Sequence, residues 1–497
     1  MDLDADACYR ALCSRDARFD GRLFVAVRTT GVYCRPICPA RTPKRENVSF
    51  HPTAASAQAA GYRPCLRCRP EASPDLAVWR GASNTVSRAL ALIELGALDN
   101  EDVEGLADRL GVGERQLRRL FAQHLGAAPI AVAQTRRVLL AKQLIHETRL
   151  PMAEVALASG FGSIRRFNET FRQLFGRPPG ELRRSGAAEI TSGEAGEVSL
   201  LLRYRPPYDW PAMLAFLRLR AIPGVEVVGV DSYARTIEVG GAQGLVIVRP
   251  EGGNALRAVI RFPALTALPT IIARLRRLFD LSADPETIGA HLSRDPVLAA
   301  MVAARPGLRL PGAWDGFELA IRAVLGQQIT VGAAIALAGK LTAAHGEAFA
   351  TRAADYPQLT HIFPRPESLA GADLSTLGMP GARARALSSI AAAVVADPAI
   401  FSATRGLDEA ITQLRGLAGV GEWTAQYIAM RELREPDAFP AADIGLMRAL
   451  EDETGRRPTP AELLARAEAW RPWRAYAAQH LWASYAPHAA VKSAKAA

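Results

Sequence analysis

At 497 residues the chain is long enough for about three or four domains. Its 49% hydrophobic and 22% charged residues are ordinary for globular protein and exclude a fibre, global disorder and a small disulfide-stapled module. The net charge of +10 is unevenly placed: residues 1–190 hold 28 Lys and Arg against 20 Asp and Glu, and residues 109–184 alone hold 14 against 5. Such a stretch suggests a polyanion partner, or more plainly a solvated basic face. No apolar run approaches 18 residues, and the acidic opening MDLDADA lacks the basic-then-apolar pattern of a secretory signal. The expectation is a cytoplasmic chain with no membrane partner.

In chain order, all six cysteines come first, within 68 residues. Cys34 and Cys38 form C-x3-C, Cys65 and Cys68 form C-x2-C, and 26 residues separate the pairs. In a reducing compartment this spacing predicts a tetrahedral four-thiolate Zn2+ site, since each short loop lets two sulfurs converge on one ion. Cys8 and Cys13 lack such pairing and read as helix-face thiols.

Residues 84–184 read as helical, with apolar positions at 3.6 spacing and Gly or Pro at the breaks. They repeat. Leu106-Ala107, Gly111, Phe121 and Gly126-x-x-Pro129 recur as Val155-Ala156, Gly160, Phe171 and Gly176-x-x-Pro179. Each copy sets a short helix with a small Ala before a turn Gly and an Arg-rich helix, carrying Arg115, Arg118 and Arg119 or Arg165, Arg166 and Arg172. That is helix-turn-helix spacing, in which the second helix can enter a major groove; plain helical hairpins are the bland alternative.

Residues 185–199 are small, polar and aperiodic, as in a linker. Beyond it, helix (Trp210 to Leu219) mixes with strand-like runs (Ser232 to Val239, Leu245 to Val248) over 200–285, and the pattern is helical from 286 onward. Within that last part, LRGLAGVGEWTAQYIAM (414–430) is a helix broken at Gly419-Val420-Gly421 and restarted at Glu422. The outward backbone N–H groups of such a hairpin suit a DNA phosphate.

These motifs carry three resemblances. FVAVRTTGVYCRPIC (24–38) and RENVSFHPTAASAQAAGYRPCLRC (45–68) closely resemble the methyl phosphotriester repair domain of the Ada family. VALASGFGSIRRFNETFRQLFGRPP (155–179) resembles the AraC family. The resemblance implies zinc on Cys34, Cys38, Cys65 and Cys68, Cys34 as methyl acceptor, and double-stranded DNA and RNA polymerase as partners. Four thiolates on Zn2+ carry a formal charge of −2, and the neighbouring cations Arg28, Arg35, Lys44, Arg45, Arg63 and Arg67 are expected to hold DNA close despite it. A zinc knuckle without chemistry is the structural alternative. No cysteine follows Cys68, so the guanine O6-methyl acceptor activity that ends other Ada proteins is not expected in its usual form.

The hairpin, DAFPAADIGL (437–446), PPYDWPAMLAFL, RPGLRLPG, VLGQQIT and LGMPGARARAL together resemble AlkA-type 3-methyladenine glycosylases of the helix-hairpin-helix superfamily, over about residues 200–485. The resemblance implies Asp443 as the catalytic carboxylate, Phe216, Trp423, Tyr427 and Trp482 as the pocket for a flipped base, Gly419 and Gly421 on the DNA backbone, and Gln328 as the wedge in the vacated stack. Ile444 and Ala483 stand where some relatives have aromatic groups. Bifunctional members carry Lys where this chain has Trp423, which implies hydrolysis without a Schiff base. The expected fold class is multidomain and mainly α with α+β parts: a small zinc-binding α/β domain (1–78), an AraC-type double helix-turn-helix (84–184), a linker (185–199), a small α+β domain (200–285) and a helix-hairpin-helix glycosylase domain (286–497). The expected function is excision of alkylated purines together with methyl transfer that activates promoter binding in the nucleoid. The rival is a methylation-sensing regulator whose glycosylase half binds DNA without cutting.

Overall fold

The computed structural model describes residues 4–73, 84–183, 197–350, 354–402 and 406–494. It divides into two compact units, Met1–Tyr204 with Val239–Ala242 and Glu251–Ala273, and the remainder. Among the described residues no helix is long and apolar enough to cross a membrane.

The first unit opens with α1 (Ala5–Ser14), capped by the Asp4 carboxylate. A four-stranded sheet follows, of order β3-β1-β2-β4, built from β1 (Phe24–Val27), β2 (Val32–Cys34), β3 (Val48–His51) and β4 (Arg63–Pro64). Alternation along β1 sends Val25 and Val27 to a core with Cys8, Leu12, Leu23 and Val48, and Phe24 and Ala26 to one with Tyr33 and Ala57. Ala57 lies on α2 (Ala54–Ala59), which starts in a Thr53–Ser56 capping box. β2 and β4 run parallel with Tyr33 opposite Pro64, so Cys34 and Cys65 leave the sheet edge side by side.

Helices α3 (Asn84–Glu94) and α4 (Ala97–Asn100) precede the first repeat, α5 (Val103–Arg109) and α6 (Glu114–Leu125). The long α7 (Pro129–Glu147) leads to the second, α8 (Met152–Ala158) and α9 (Ile164–Phe175). Ala107 and Ala156 are buried where the two helices of each repeat meet. Gly160 is required: its φ is +85°, and a Cβ there would lie 2.5 Å from the Asp99 carboxylate, which holds Arg136 and Arg137 of α7.

Residues 184–196 lie outside the description, but the end of the expected linker does not: Glu197–Ser199 open strand β5 (Glu197–Arg203). After α10 (Trp210–Arg218) come β6 (Glu226–Val228), β7 (Tyr233–Val239), β8 (Ala242–Glu251) and β9 (Ala255–Arg261), in a sheet of order β5-β9-β8-β7-β6. Glu197 pairs with Arg261, and Arg203 with Ala255. The expected helix at Trp210 and the strand run at 233–239 are present.

From 268 on the chain is helical: α11 (Leu268–Leu278), α12 (Pro285–Leu292), α13 (Pro296–Ala304), α14 (Gly316–Leu325), α15 (Val331–His345), α16 (Pro366–Leu369), α17 (Gly381–Ala396), α18 (Leu407–Arg415), α19 (Glu422–Arg431), α20 (Ile444–Ala449), α21 (Pro460–Ala467) and α22 (Arg474–Ala494). The apolar α14 is buried along almost its whole length and forms the centre on which the pocket below is built.

Candidate metal centre and carboxylate pocket

β2 delivers Cys34, the following turn Cys38, and the chain after β4 Cys65 and Cys68. Their four sulfurs lie within 4.8 Å of one another, and all four residues are buried. Four Zn–S bonds of about 2.3 Å in a tetrahedron need sulfurs roughly 3.8 Å apart, so this donor set fits zinc. Backbone N–H groups damp three of the sulfurs. Arg35 N donates to Cys68 Sγ (3.3 Å), Arg67 N to Cys65 Sγ (3.4 Å), and Ala40 to Cys38. Among the described residues Cys34 receives no such donor, although all four cysteines are equally buried. Of the two other cysteines, Cys8 is buried and Cys13 exposed.

The centre is tied to α7 by a buried ionic chain. Lys142, fully buried, donates to the Cys65 carbonyl (3.0 Å) and to Glu71 (2.5 Å). Arg69 bridges Glu71 (3.1 Å) and Glu147 (3.0 Å), and Glu147 accepts from Leu201 N (3.0 Å). The Arg35 guanidinium is bonded to Asp20 and the Cys68 carbonyl, which removes it from the cations expected to hold DNA; Arg28 and Arg67 are exposed. On helices α6 and α9 every expected arginine is exposed. Arg118 and Arg165 are engaged with Glu114 and Glu169 one turn away, whereas Arg115, Arg119 and Arg166 make no ion pair among the described residues.

In the second unit Asp443 caps α20, its Oδ1 accepting from Leu446 N (2.9 Å). Capping is not its whole role. Trp482 Nε1 donates to the same oxygen (2.9 Å) and Trp423 Nε1 to Oδ2 (2.7 Å), so two indoles fix the carboxylate plane. No cation pairs with it among the described residues. Gly445 makes room: a Cβ there would meet Asp443 Oδ1 at 2.9 Å. Asp443, Phe216, Trp423, Tyr427 and Trp482 line one cavity of about 500 Å³, with Trp423 and Tyr427 stacked at 5.2 Å between centroids. Ala483 lines it too, while the Ile444 side chain is exposed.

The hairpin between α18 and α19 abuts this cavity. Gly419 has φ +78°, and a Cβ would come 2.6 Å from Ala386 of α17. Gly421 is the N-cap residue of α19 in extended conformation, with open space around it. Gln327 Nε2 bonds Gly419 O (2.8 Å) and Thr424 Oγ1 (3.1 Å), fastening the 325–330 loop to the hairpin and leaving Gln328 exposed in the left-handed region (φ +59°).

Four family models match in succession: the metal-binding domain of Ada (7–71), a helix-turn-helix domain (106–185), the AlkA N-terminal domain (199–315) and the HhH-GPD superfamily of base excision DNA repair proteins (321–475). A protein of Mycobacterium tuberculosis (strain CDC 1551 / Oshkosh) described as a bifunctional transcriptional activator/DNA repair enzyme AlkA is 44% identical over 481 residues, 96% of each chain. The chain belongs to this bifunctional AlkA family. The DNA-3-methyladenine glycosylase 2 of Escherichia coli (strain K12) is 37% identical over 56% of this chain and 95% of its own. A solved 3-methyladenine DNA glycosylase from Archaeoglobus fulgidus shares the fold (TM-score 0.51, 22% identity, 58% of this chain and 98% of that one). With the Ada-type domain and the four-cysteine cluster, zinc is the cofactor of this family member.

Two features escaped sequence reasoning. The Lys142–Glu71 pair joins residues 71 positions apart, and no local pattern announces it. Arg431, in contrast, follows Trp423 and Tyr427 at intervals of four. That spacing put it on the pocket face of α19 and could have been read.

Proposed function

We propose that this chain repairs alkylated DNA by two chemistries and reports one of them to a promoter. The observation that carries the reading is Asp443: an unpaired carboxylate, oriented by two indole N–H groups, at the wall of an aromatic cavity sized for a base. The flipped purine enters among Phe216, Trp423, Tyr427 and Trp482 while Gln328 fills the vacated stack, and Gly419 and Gly421 present backbone N–H groups to a phosphate. As the C1′–N bond breaks, its electron pair goes to the base; Asp443 stabilises the positive charge on the sugar, and water adds to C1′ with loss of a proton to solvent. Trp423 offers no amine, so the enzyme is monofunctional. The fixed carboxylate and aromatic set oppose the rival reading of a half that only binds.

In the first unit Cys34 Sγ attacks the methyl carbon of a methyl phosphotriester, and the C–O electron pair leaves with the phosphodiester. Bound zinc supplies deprotonated thiolates at neutral pH. The lack of an N–H donor on Cys34 supports its choice as acceptor, with Cys38, Cys65 and Cys68 as companion ligands. Methylation takes one negative charge from a site facing phosphates. At about 8 Å and an effective dielectric near 20 this is worth about 2 kcal/mol before screening, enough to tighten operator binding through Arg115, Arg118, Arg119, Arg165 and Arg166. Contact with RNA polymerase and a cytoplasmic, nucleoid-associated site of action complete the proposal. Incubating the full chain with methylated duplex DNA tests both arms. The expected result is free 3-methyladenine in the supernatant and one added methyl on Cys34 by peptide mass spectrometry; a methyl on Cys38 or Cys13 would refute the acceptor assignment.

A further inference from the structure

The loop between α14 and α15 sets two glutamines side by side with opposite tasks. Gln328 is exposed in the left-handed region (φ +59°), and its side chain makes no hydrogen bond among the described residues. A glycine would adopt that conformation freely. A glutamine there is strained and persists only where its surroundings over-determine the backbone. A long side chain is therefore kept at a position that favours having none, and the residue that fixes the backbone around it is Gln327.

Gln327 is half-buried, and both hydrogens of its amide are used: Nε2 donates to the Gly419 carbonyl (2.8 Å) and to Thr424 Oγ1 (3.1 Å). Its backbone carbonyl accepts from the Arg383 guanidinium of α17, and its backbone N–H donates to Val324 O (3.3 Å) near the end of α14. The two side-chain acceptors belong to packed parts of the molecule. Gly419 is the turn of the hairpin, set so close to Ala386 of α17 that a Cβ would come within 2.6 Å, and Thr424 is 2% exposed on α19 beside Trp423. Loop, hairpin and α17 thus close a ring of contacts. Gln327 holds Gly419, Gly419 packs on Ala386, and Arg383, about one turn before Ala386, returns to Gln327.

We propose that Gln327 is a positioning residue for base extrusion, fixing the Gln328 wedge at a set distance from the phosphate-binding hairpin. The inference rests on the reading above of Gln328 as wedge and of Gly419 and Gly421 as phosphate contacts, and it names what joins them. Extruding a base costs stacking and pairing, and the wedge offsets that cost only while it stays in the vacated space. To stay there it must be braced against the strand it separates. The phosphate on the hairpin is the fixed point, and the Gln327 amide ties the wedge to it through a single side chain. Without that tie, residues 326–330 would have to be ordered at the moment of insertion, and the entropy lost would oppose extrusion. Gln327 acts through Gln328 and is not itself a catalytic residue.

The test is a double-mutant cycle, read as single-turnover release of 3-methyladenine from duplex DNA by the full-length protein at saturating concentration, so that DNA affinity does not enter. Gln327→Met keeps the side-chain length but removes both donors, and should slow release about tenfold, as expected for two hydrogen bonds. Gln328→Ala should slow release because the wedge is gone. The deciding figure is the effect of Gln327→Met in the Gln328→Ala background. It should shrink to about twofold or less, since a residue that acts through the wedge has nothing left to position. A tenfold loss undiminished in that background would assign Gln327 to the hairpin or to the Trp423 side of the pocket and overturn the proposal, as would release by Gln327→Met near the wild-type rate. If Gln327→Met does not fold, Arg383→Met, which takes the guanidinium from the Gln327 carbonyl, enters the same cycle with the same deciding outcomes. Gln328→Ala at the wild-type rate defeats the wedge reading and the proposal with it, whereas wild-type protein that releases no 3-methyladenine defeats the glycosylase reading itself.

Discussion

The zinc centre and the base pocket both hold charge away from water, and they solve the problem in opposite ways. At the zinc centre the ligands are local in sequence, and the charges buried beside them are paired: Arg35 with Asp20, Lys142 with Glu71, Arg69 with Glu71 and Glu147. The pocket gathers side chains from Phe216 to Trp482 and leaves the Asp443 carboxylate without an ionic partner among the described residues. Paired charges stabilise and connect a fold; unpaired ones are held ready for a substrate. The difference separates the part of the molecule that senses from the part that cleaves.

The largest expected effect breaks the first region alone. Cys65→Ala should eliminate zinc binding and unfold the zinc module, because structural zinc contributes about 10 kcal/mol or more to such small domains; metal analysis and circular dichroism check it, and base excision should persist. Next, Glu71→Gln leaves the Lys142 ammonium buried without its carboxylate and should cost about 3–5 kcal/mol in denaturant unfolding of the first unit. In the second unit, Arg235 and Arg322 hold the Glu318 carboxyl down to about 2, below its ordinary 4.5. Its contribution, roughly 3 kcal/mol, is therefore complete above pH 4.5 and lost as pH falls towards 2. The Glu318→Gln variant should show a flatter acid-unfolding profile over that window. The smallest effect sharpens the pocket: Trp482→Phe keeps an aromatic ring, though a smaller one, and removes one N–H from Asp443, and excision should fall about tenfold.

Legibility in the sequence followed the range of the interactions. The cysteine pairs, the Ala and turn Gly of each helix-turn-helix and the Gly419–Gly421 hairpin were readable because their geometry is set within a few residues. The start of β5 was not. Glu197–Ser199 have the composition of a linker, and what makes them a strand is pairing with Val259–Arg261, about sixty residues downstream. Arg35 read as a DNA contact because nothing near it in sequence reveals Asp20 as its partner. Asp443 was legible through its resemblance, but its orientation by Trp423 and Trp482 is a tertiary fact: one indole precedes it by 20 residues, the other follows by 39.

The central claim is that a fixed negative charge at Asp443 carries base excision. Single-turnover release of 3-methyladenine from duplex DNA by Asp443→Asn, with DNA affinity measured in parallel, tests it most directly, since the substitution keeps volume and one acceptor oxygen but removes the charge. The account predicts a rate lower by about two orders of magnitude or more, with affinity unchanged or slightly raised because a carboxylate near phosphates is repulsive. Excision by Asp443→Asn near the wild-type rate would contradict it.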